Sequence, residues 1–437
     1  MCRKRSDAEK NAVSQQTAIR LSGQGNETGA AQAAPVKASE RHRILDVLRG
    51  FALLGICLAN YPEFSLYTFQ SAETVAAMPS AGIDRVLRWL LYFFVDGKFY
   101  TLFSLLFGIG FSIIISNAAK KGQNGFRIFY RRMALLVLIG FLHLMFIWSG
   151  DILMLYALVG MILPLFRNVS GRGLLAAAAF FLVLPVAVDT VTAAAGVPLS
   201  APAVKAQWHF CDRYGITEEN FGVWLRDADS YREVLQFLVQ GAMVRIQELV
   251  DGNRYFKVLG LFLTGFWMGR NRLYACLEDR KPLLRKAAGL CFIIGLPFSF
   301  VYAWSCMEGH PFGNVAHSVL YLVSVYPMGF AYMAGLSLLY LRFREGGLWK
   351  WLAAPGRMAL SNYIGQSLLG MFIFYGIGLG FGASAGLSAT LLTAMSVYVF
   401  QMAFSRFWMH FFNFGPLEWI WRMLTYGRRF CLMKSGR

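Results

Sequence analysis

The chain has 437 residues, of which 57% are hydrophobic, 16% aromatic and only 15% charged. Soluble domains carry about 25% charged residues, so this balance excludes an ordinary soluble globular protein. The net charge of +18 does not point to nucleic acid, because the basic residues sit between long apolar runs, where they act as topology signals.

Residues 1–42 form a polar, small-residue-rich N-terminal tail that is expected to be disordered. The tail has no apolar central region and therefore does not read as a secretory signal. Residues 43–410 read as an all-α, polytopic transmembrane helical bundle, and 411–437 as an interfacial aromatic and basic tail on the cytosolic side. A crossing helix needs about 20 apolar residues. The apolar runs give about ten crossings, at 44–62, 99–118, 128–148, 151–167, 173–193, 255–270, 284–305, 316–341, 357–380 and 386–410. Every second connection is basic, as at Lys120–Arg132, Arg270–Lys286 and Arg342–Arg357. The connections at Ser149–Gly150, Met307–Ala316 and Gly380–Gly386 carry no Lys or Arg. This alternation predicts a bacterial inner-membrane protein with both termini in the cytosol. Two outer loops are long. The loop at 63–98 holds the amphipathic stretch IDRVLRWLLYFF, and the loop at 196–254 either covers an outward opening or only packs at the interface.

Polar residues inside such a bundle are costly, so each needs a reason. On the first span Asp46, Arg49 and Asn60 fall on one stripe, because eleven residues at 100° each return to the same face. The rise from Arg49 to Asn60 is about 16 Å. Arg132 and His143 repeat that spacing on the third span, and Asp151 opens the fourth. Asp151 either caps its own helix or orients His143 as a base. The ninth span opens GRMALSNYIGQSLLG. Its Ser361 and Gln366 suit helix–helix hydrogen bonding, while Arg357 and Asn362 suit either packing or an anion site. Gly50 and Gly55 permit close helix approach. Lys98 is expected to snorkel to the outer surface, and Trp419 and Trp421 to anchor the tail at the inner one.

The seven cysteines are scattered without a C-x-x-C, which argues against metal or redox use. Cys211 and Cys306 share the outer side, but spacing alone does not establish a disulfide. No Walker loop, G-x-S-x-G or H-E-x-x-H occurs. The sequence reading thus includes no metal and no permanently bound cofactor.

Four stretches carry a resemblance: RILDVLRGFALLGICLAN, GKFYTLFSLLFGIGFS, GFLHLMFIWSGDILMLYA, and GRMALSNYIGQSLLG with the terminal GPLEWIWRMLTYG. Through them the chain, from about 43 to 429, resembles the YeiB-like bacterial inner-membrane proteins. More distantly it is similar to membrane acyltransferases of the acyltransferase-3 and heparan glucosaminide acetyltransferase type. That similarity implies transfer of an acyl group from cytosolic acyl-CoA, as co-substrate, to an acceptor at or across the membrane. The matching residues are Asp46, Arg49, Gly50 and Asn60. The chain departs from the pattern at the far end of the helix, where acyltransferase-3 enzymes place a histidine. None occurs here between His42 and His143. Either His143 takes over that work or the acyl chemistry has been lost.

The leading expectation is therefore a transmembrane acyltransferase. His143, Asp151 and Asn60 would form the catalytic set, and Asp46, Arg49, Arg132, Arg357 and Asn362 the donor or anion site. The partners expected are the lipid bilayer and a small-molecule donor and acceptor, with no nucleic acid. The alternatives are a transporter of a small anionic or amphipathic metabolite, and a non-catalytic membrane protein. An inverted repeat would favour transport, but the Asp-x-x-Arg-Gly start does not recur at the sixth span.

Overall fold

The computed structural model describes residues 42–434, so the expected tail, apart from His42, lies outside the described residues. The chain runs through α1 (Arg43–Phe64), α2 (Ala72–Ala77), α3 (Ala81–Phe94), α4 (Lys98–Lys120), α5 (Gly125–Phe146) and α6 (Leu153–Gly160). It continues through α7 (Gly171–Ala195), α8 (Ala201–Tyr214), α9 (Glu218–Phe221), α10 (Trp224–Asp227), α11 (Tyr231–Asp251) and α12 (Arg254–Arg270). It ends with α13 (Lys281–Met307), α14 (Gly313–Arg342), α15 (Gly347–Arg357), α16 (Ala359–Phe374), α17 (Leu387–Phe411) and α18 (Pro416–Tyr426). Among the described residues extended pairing is limited to an isolated bridge between Phe412 and Met433.

Among the described residues, seven segments are long and apolar enough to cross a membrane: α1, the continuous Ala81–Lys120 segment of α3 and α4, α5, α7, α13, α14 and α17. Three expected crossings fall on shorter helices. These are α6, which runs into a 3-10 turn at Leu163–Phe166, α12 with 17 residues, and α16 with 16. The difference is one of environment. A helix facing lipid must satisfy its whole backbone across the hydrocarbon, whereas one walled in by protein need not reach both surfaces. α12 is walled in between α4 and α7, with Val258, Leu261, Phe262 and Leu263 fully buried. α7 is the opposite case, with Phe180, Val183 and Val191 exposed.

Glycines set the two closest crossings. A Cβ on Gly50 of α1 would lie 1.8 Å from the carbonyl oxygen of Leu352, and one on Gly356 of α15 would lie 1.9 Å from that of Asp46. A Cβ on Gly265 of α12 would lie 2.1 Å from the carbonyl oxygen of Leu105 on α4. Backbones this close are the usual way helices associate where no hydrophobic force drives them together.

Two polar expectations change, and the thiol expectation holds. Lys98 does not snorkel: it is fully buried, and its Nζ donates to the Tyr92 carbonyl at 2.6 Å. Trp421 is not a surface anchor; it is 9% exposed, and its indole N–H donates to the Arg132 carbonyl. Cys211 and Cys306 are both free thiols.

Candidate functional site

A single cavity of about 1150 Å³ follows one face of α1. It begins at the end of the bundle where α1 starts and α18 docks. There Arg49 pairs with Asp46 at 3.0 Å, an i,i+3 contact on the first turns of α1. The Arg132 guanidinium of α5 lies 3.7 Å over the Trp421 ring, held by cation–π attraction. Arg357, at the end of α15, donates to the Asn413 carbonyl at 3.5 Å. Arg422 completes the group on α18. Lys120 and Arg272 add two more cations to this end, against the acids Asp46 and Glu418. Both Glu418 oxygens are already engaged, accepting from the Leu360 and Ser361 backbone N–H groups and from the Ser361 hydroxyl. The surplus of guanidinium groups is suited to phosphate or carboxylate.

The middle of the cavity is apolar and aromatic. Phe103, Phe107, Phe111 and Tyr156 form its wall. Tyr156 remains polar at one point only, where its hydroxyl lies 2.6 Å from the Ser104 Oγ. The far end is charged again. Asn60 and Glu63 stand one helical turn apart on α1, and both line the cavity. The Trp148 indole donates to Glu63 Oε1 at 3.0 Å. Arg245 of α11 reaches the Asp151 carbonyl at 2.8 Å and Glu248 Oε2 at 2.7 Å, while Arg254 lies 3.7 Å from Glu248. The Arg245–Glu248 pair lies within α11, so α11 is joined to its surroundings here by the Arg245 bond to the Asp151 carbonyl and by the Glu248–Arg254 contact with the start of α12.

Behind this far end lies a second polar group. His143 Nδ1 is 2.9 Å from Asp151 Oδ1, and His143 Nε2 is 2.9 Å from Ser367 Oγ on α16. Asp151 Oδ2 also accepts the Met154 backbone N–H at 2.8 Å. Asp151 therefore caps α6 and hydrogen-bonds His143 at once, so it is not a cap alone. Nε2 shares the other hydrogen bond with the Ser367 hydroxyl, which also lies 3.4 Å from the Tyr363 carbonyl. The order is that of a Ser–His–Asp relay, but all three residues are buried and none lines the cavity. Tyr363 stands on the cavity wall, its ring 5.2 Å from that of His143.

The structure thus brings Asp46, Arg49, Arg132 and Arg357 to one end of the cavity and Asn60 to the other. It sets His143 and Asp151 behind the wall. Asn362 lies off the cavity as well, donating to Ser405 Oγ at 2.9 Å and to the Pro355 carbonyl, as a helix–helix contact would. Ser361 and Gln366 also make interhelical bonds, to Glu418 and Gln401. Sequence reasoning missed Glu63, Arg245, Arg422 and Ser367. Glu63 had a signal, an acid one turn beyond Asn60 on the same stripe.

Fold and site together define a multi-pass, all-α membrane protein with an internal cavity, cationic at one end and mixed in charge at the other. The chain belongs to the YeiB-like family. The family described as "Protein of unknown function (DUF418)" matches residues 268–428. The uncharacterized protein YxaH of Bacillus subtilis (strain 168) is 30% identical over 406 residues, covering 90% of this chain and 96% of its own. A 39.9 kDa protein in the amylase 3' region of Bacillus acidopullulyticus is 28% identical over 419 residues, covering 91% of this chain and 98% of its own. The uncharacterized protein YeiB of Escherichia coli (strain K12) is 28% identical over 408 residues, covering 88% of this chain and 96% of its own. No solved structure matches.

Proposed function

We propose that the protein is a membrane acyltransferase that takes its donor, an acyl-CoA thioester, at the arginine end of the cavity. The observation that carries this reading is the continuity of the cavity, which joins Arg49, Arg132, Arg357 and Arg422 to Asn60 and Glu63 through an aromatic waist. Its volume suits an elongated amphipathic ligand. Donor phosphates would meet the arginines, the pantetheine arm would lie along Phe103, Phe107 and Tyr156, and the thioester carbonyl would meet Asn60. Glu63 would take the proton of the acceptor hydroxyl or amine as that group attacks the carbonyl, and the coenzyme thiolate would leave. His143, Asp151 and Ser367 would hold the Tyr363 wall in place as positioning residues. The basic connections support a cytosolic arginine end in a bacterial inner membrane.

The test is thermal unfolding of the detergent-purified protein with a series of acyl-CoA thioesters, beside acyl transfer to water or sugar. A ligand at 100 times its Kd stabilises the folded state by about 2.7 kcal/mol. The expected result is a shift that Arg132→Gln reduces and Glu63→Gln keeps, with transfer lost in Glu63→Gln. No shift with any thioester up to roughly millimolar concentration would overturn the reading. The cavity touches groups near both ends of the bundle, which favours transport of an amphipathic anion as the second reading. Uptake of such an anion into proteoliposomes without acyl transfer would establish it.

A further inference from the structure

The turn between α13 and α14 carries a cluster that neither the cavity chemistry nor the family accounts for. Cys306 lies in the last turn of α13, His310 in the connecting turn, and His317 in the second turn of α14. One ligand atom from each, the thiol sulfur and two ring nitrogens, all lie within 4.8 Å of one another. Sequence order alone, C-x3-H-x6-H, hides this, because the helix reversal is what folds the three together.

The turn is built around His310. Its φ is +62°, in the left-handed region that non-glycine residues avoid, between Gly309 at +68° and Gly313 at +77°. Such a conformation is maintained only where surroundings determine it. Here the His310 N–H donates to the Ser305 carbonyl and the Gly313 N–H to the His310 carbonyl, both at 2.8 Å. The result lays the two imidazoles against each other, with ring centroids 4.1 Å apart. The Nδ1 atom of each ring is buried and has no hydrogen-bond partner. Two buried, unanswered ring nitrogens side by side are costly, and a cation bound between them would satisfy both.

We infer that Cys306, His310 and His317 form a metal site for a borderline-soft divalent cation of the Zn²⁺ class, with a fourth position open. Thiolate sulfur and neutral imidazole nitrogen are the donors that zinc takes most readily. Zinc at its usual bond lengths needs donors about 3.5 Å apart, a contraction that side-chain rotation supplies. Cys306 binds as the thiolate, its proton passing to solvent. Outer groups are in place. The Tyr302 ring lies 5.4 Å from that of His317, and its hydroxyl donates to Asp96 Oδ2 at 2.5 Å. The Asp96 carboxylate offsets the positive charge of Lys98, whose Nζ lies 4.7 Å over the Tyr302 ring. His317 and Tyr302 also line the large cavity, so the metal would sit in its wall. This site is independent of the acyl-transfer reading.

The experiment uses the full chain in detergent, purified without a polyhistidine tag. Metal content is measured after equilibration with Zn²⁺, and Co²⁺ is added to the metal-free protein as a spectroscopic probe. The expected result is about one zinc per chain, with cobalt giving visible ligand-field bands and a near-ultraviolet thiolate charge-transfer band. Cys306→Ser should abolish the charge-transfer band. His310→Gln, at an exposed turn where misfolding is not expected, should weaken zinc binding by at least the roughly tenfold that even an outer-shell change costs. Unfolding temperatures of the metal-free variants report whether each still folds. Substoichiometric zinc in the wild type, or equal zinc in a folded Cys306→Ser, would overturn the proposal.

Discussion

His143 uses both ring nitrogens, one on Asp151 and one on Ser367, and all three residues are almost fully buried. Removing the ring leaves a carboxylate and a hydroxyl in a dry interior. Breaking a buried pair of this kind costs about 3–5 kcal/mol, whereas losing one neutral hydrogen bond costs about 1. His143→Ala should therefore lower the unfolding temperature sharply, and Ser367→Ala only slightly, with the ligand-induced shift kept in both. A His143→Ala protein of unchanged stability would contradict this account. The sequence reveals some of this geometry and hides the rest for one reason, distance along the chain. Asp46 and Arg49 are three residues apart, and His143 and Asp151 eight, so local helix geometry brings them together. Ser367 is 224 residues from His143, and no periodicity connects them. The same limit explains why His143 looked like a cavity base: helical spacing gives its face on α5 but not what α16 places in front of it.

Carboxylates far away in sequence cap the helices of this bundle. A helix N-terminus leaves up to four N–H groups without partners, and inside a membrane water does not supply them. Glu418 of α18 answers Leu360 and Ser361 at the start of α16. Asp84 of α3, fully buried, answers Leu387 at 3.0 Å and Ser388 at 2.8 Å at the start of α17. α6, by contrast, is capped locally, by Asp151 three residues before the Met154 N–H it accepts. Helix-cap losses run to about 0.5–2 kcal/mol. Glu418→Ala should stand at the upper end, because it strands the Ser361 hydroxyl as well, and amide exchange should rise first at Leu360 and Ser361. Equal exchange in variant and parent would contradict this. The amphipathic IDRVLRWLLYFF stretch was legible as a helix, but the cap it gives α17 was not. Nor was the shortness of α6, α12 and α16, since hydropathy does not tell a helix sheltered by protein from one facing lipid.

At the scale of the whole molecule, a charge cluster at the far end of the cavity joins the end of α11 to the start of α12. Burial by itself raises the Glu248 carboxyl, but the guanidiniums of Arg245 and Arg254 outweigh it and hold the group below the usual carboxylate range. A depressed carboxyl stabilises the folded state fully above its unfolded pKa, about 4.3, and loses that contribution as pH falls through the lower folded value. The junction between α11 and α12 should therefore be indifferent to pH near neutrality and loosen below about pH 4. Protease susceptibility of the 231–251 segment as pH falls is the check, and Glu248→Gln should remove the pH dependence. Glu248 is partly exposed, so the effect belongs to this segment and not to global unfolding.

The Glu418 cap also orders events in time. A ribosome delivers α16 some forty residues before it delivers the residue that completes the start of that helix. Until α18 emerges, the backbone at Leu360 and Ser361 has no acceptor from Glu418 and Arg132 lacks the Trp421 ring beneath it. The arginine end of the cavity can close only after translation of the tail, so quality control acting on a nascent chain would meet an open mouth until the last moment.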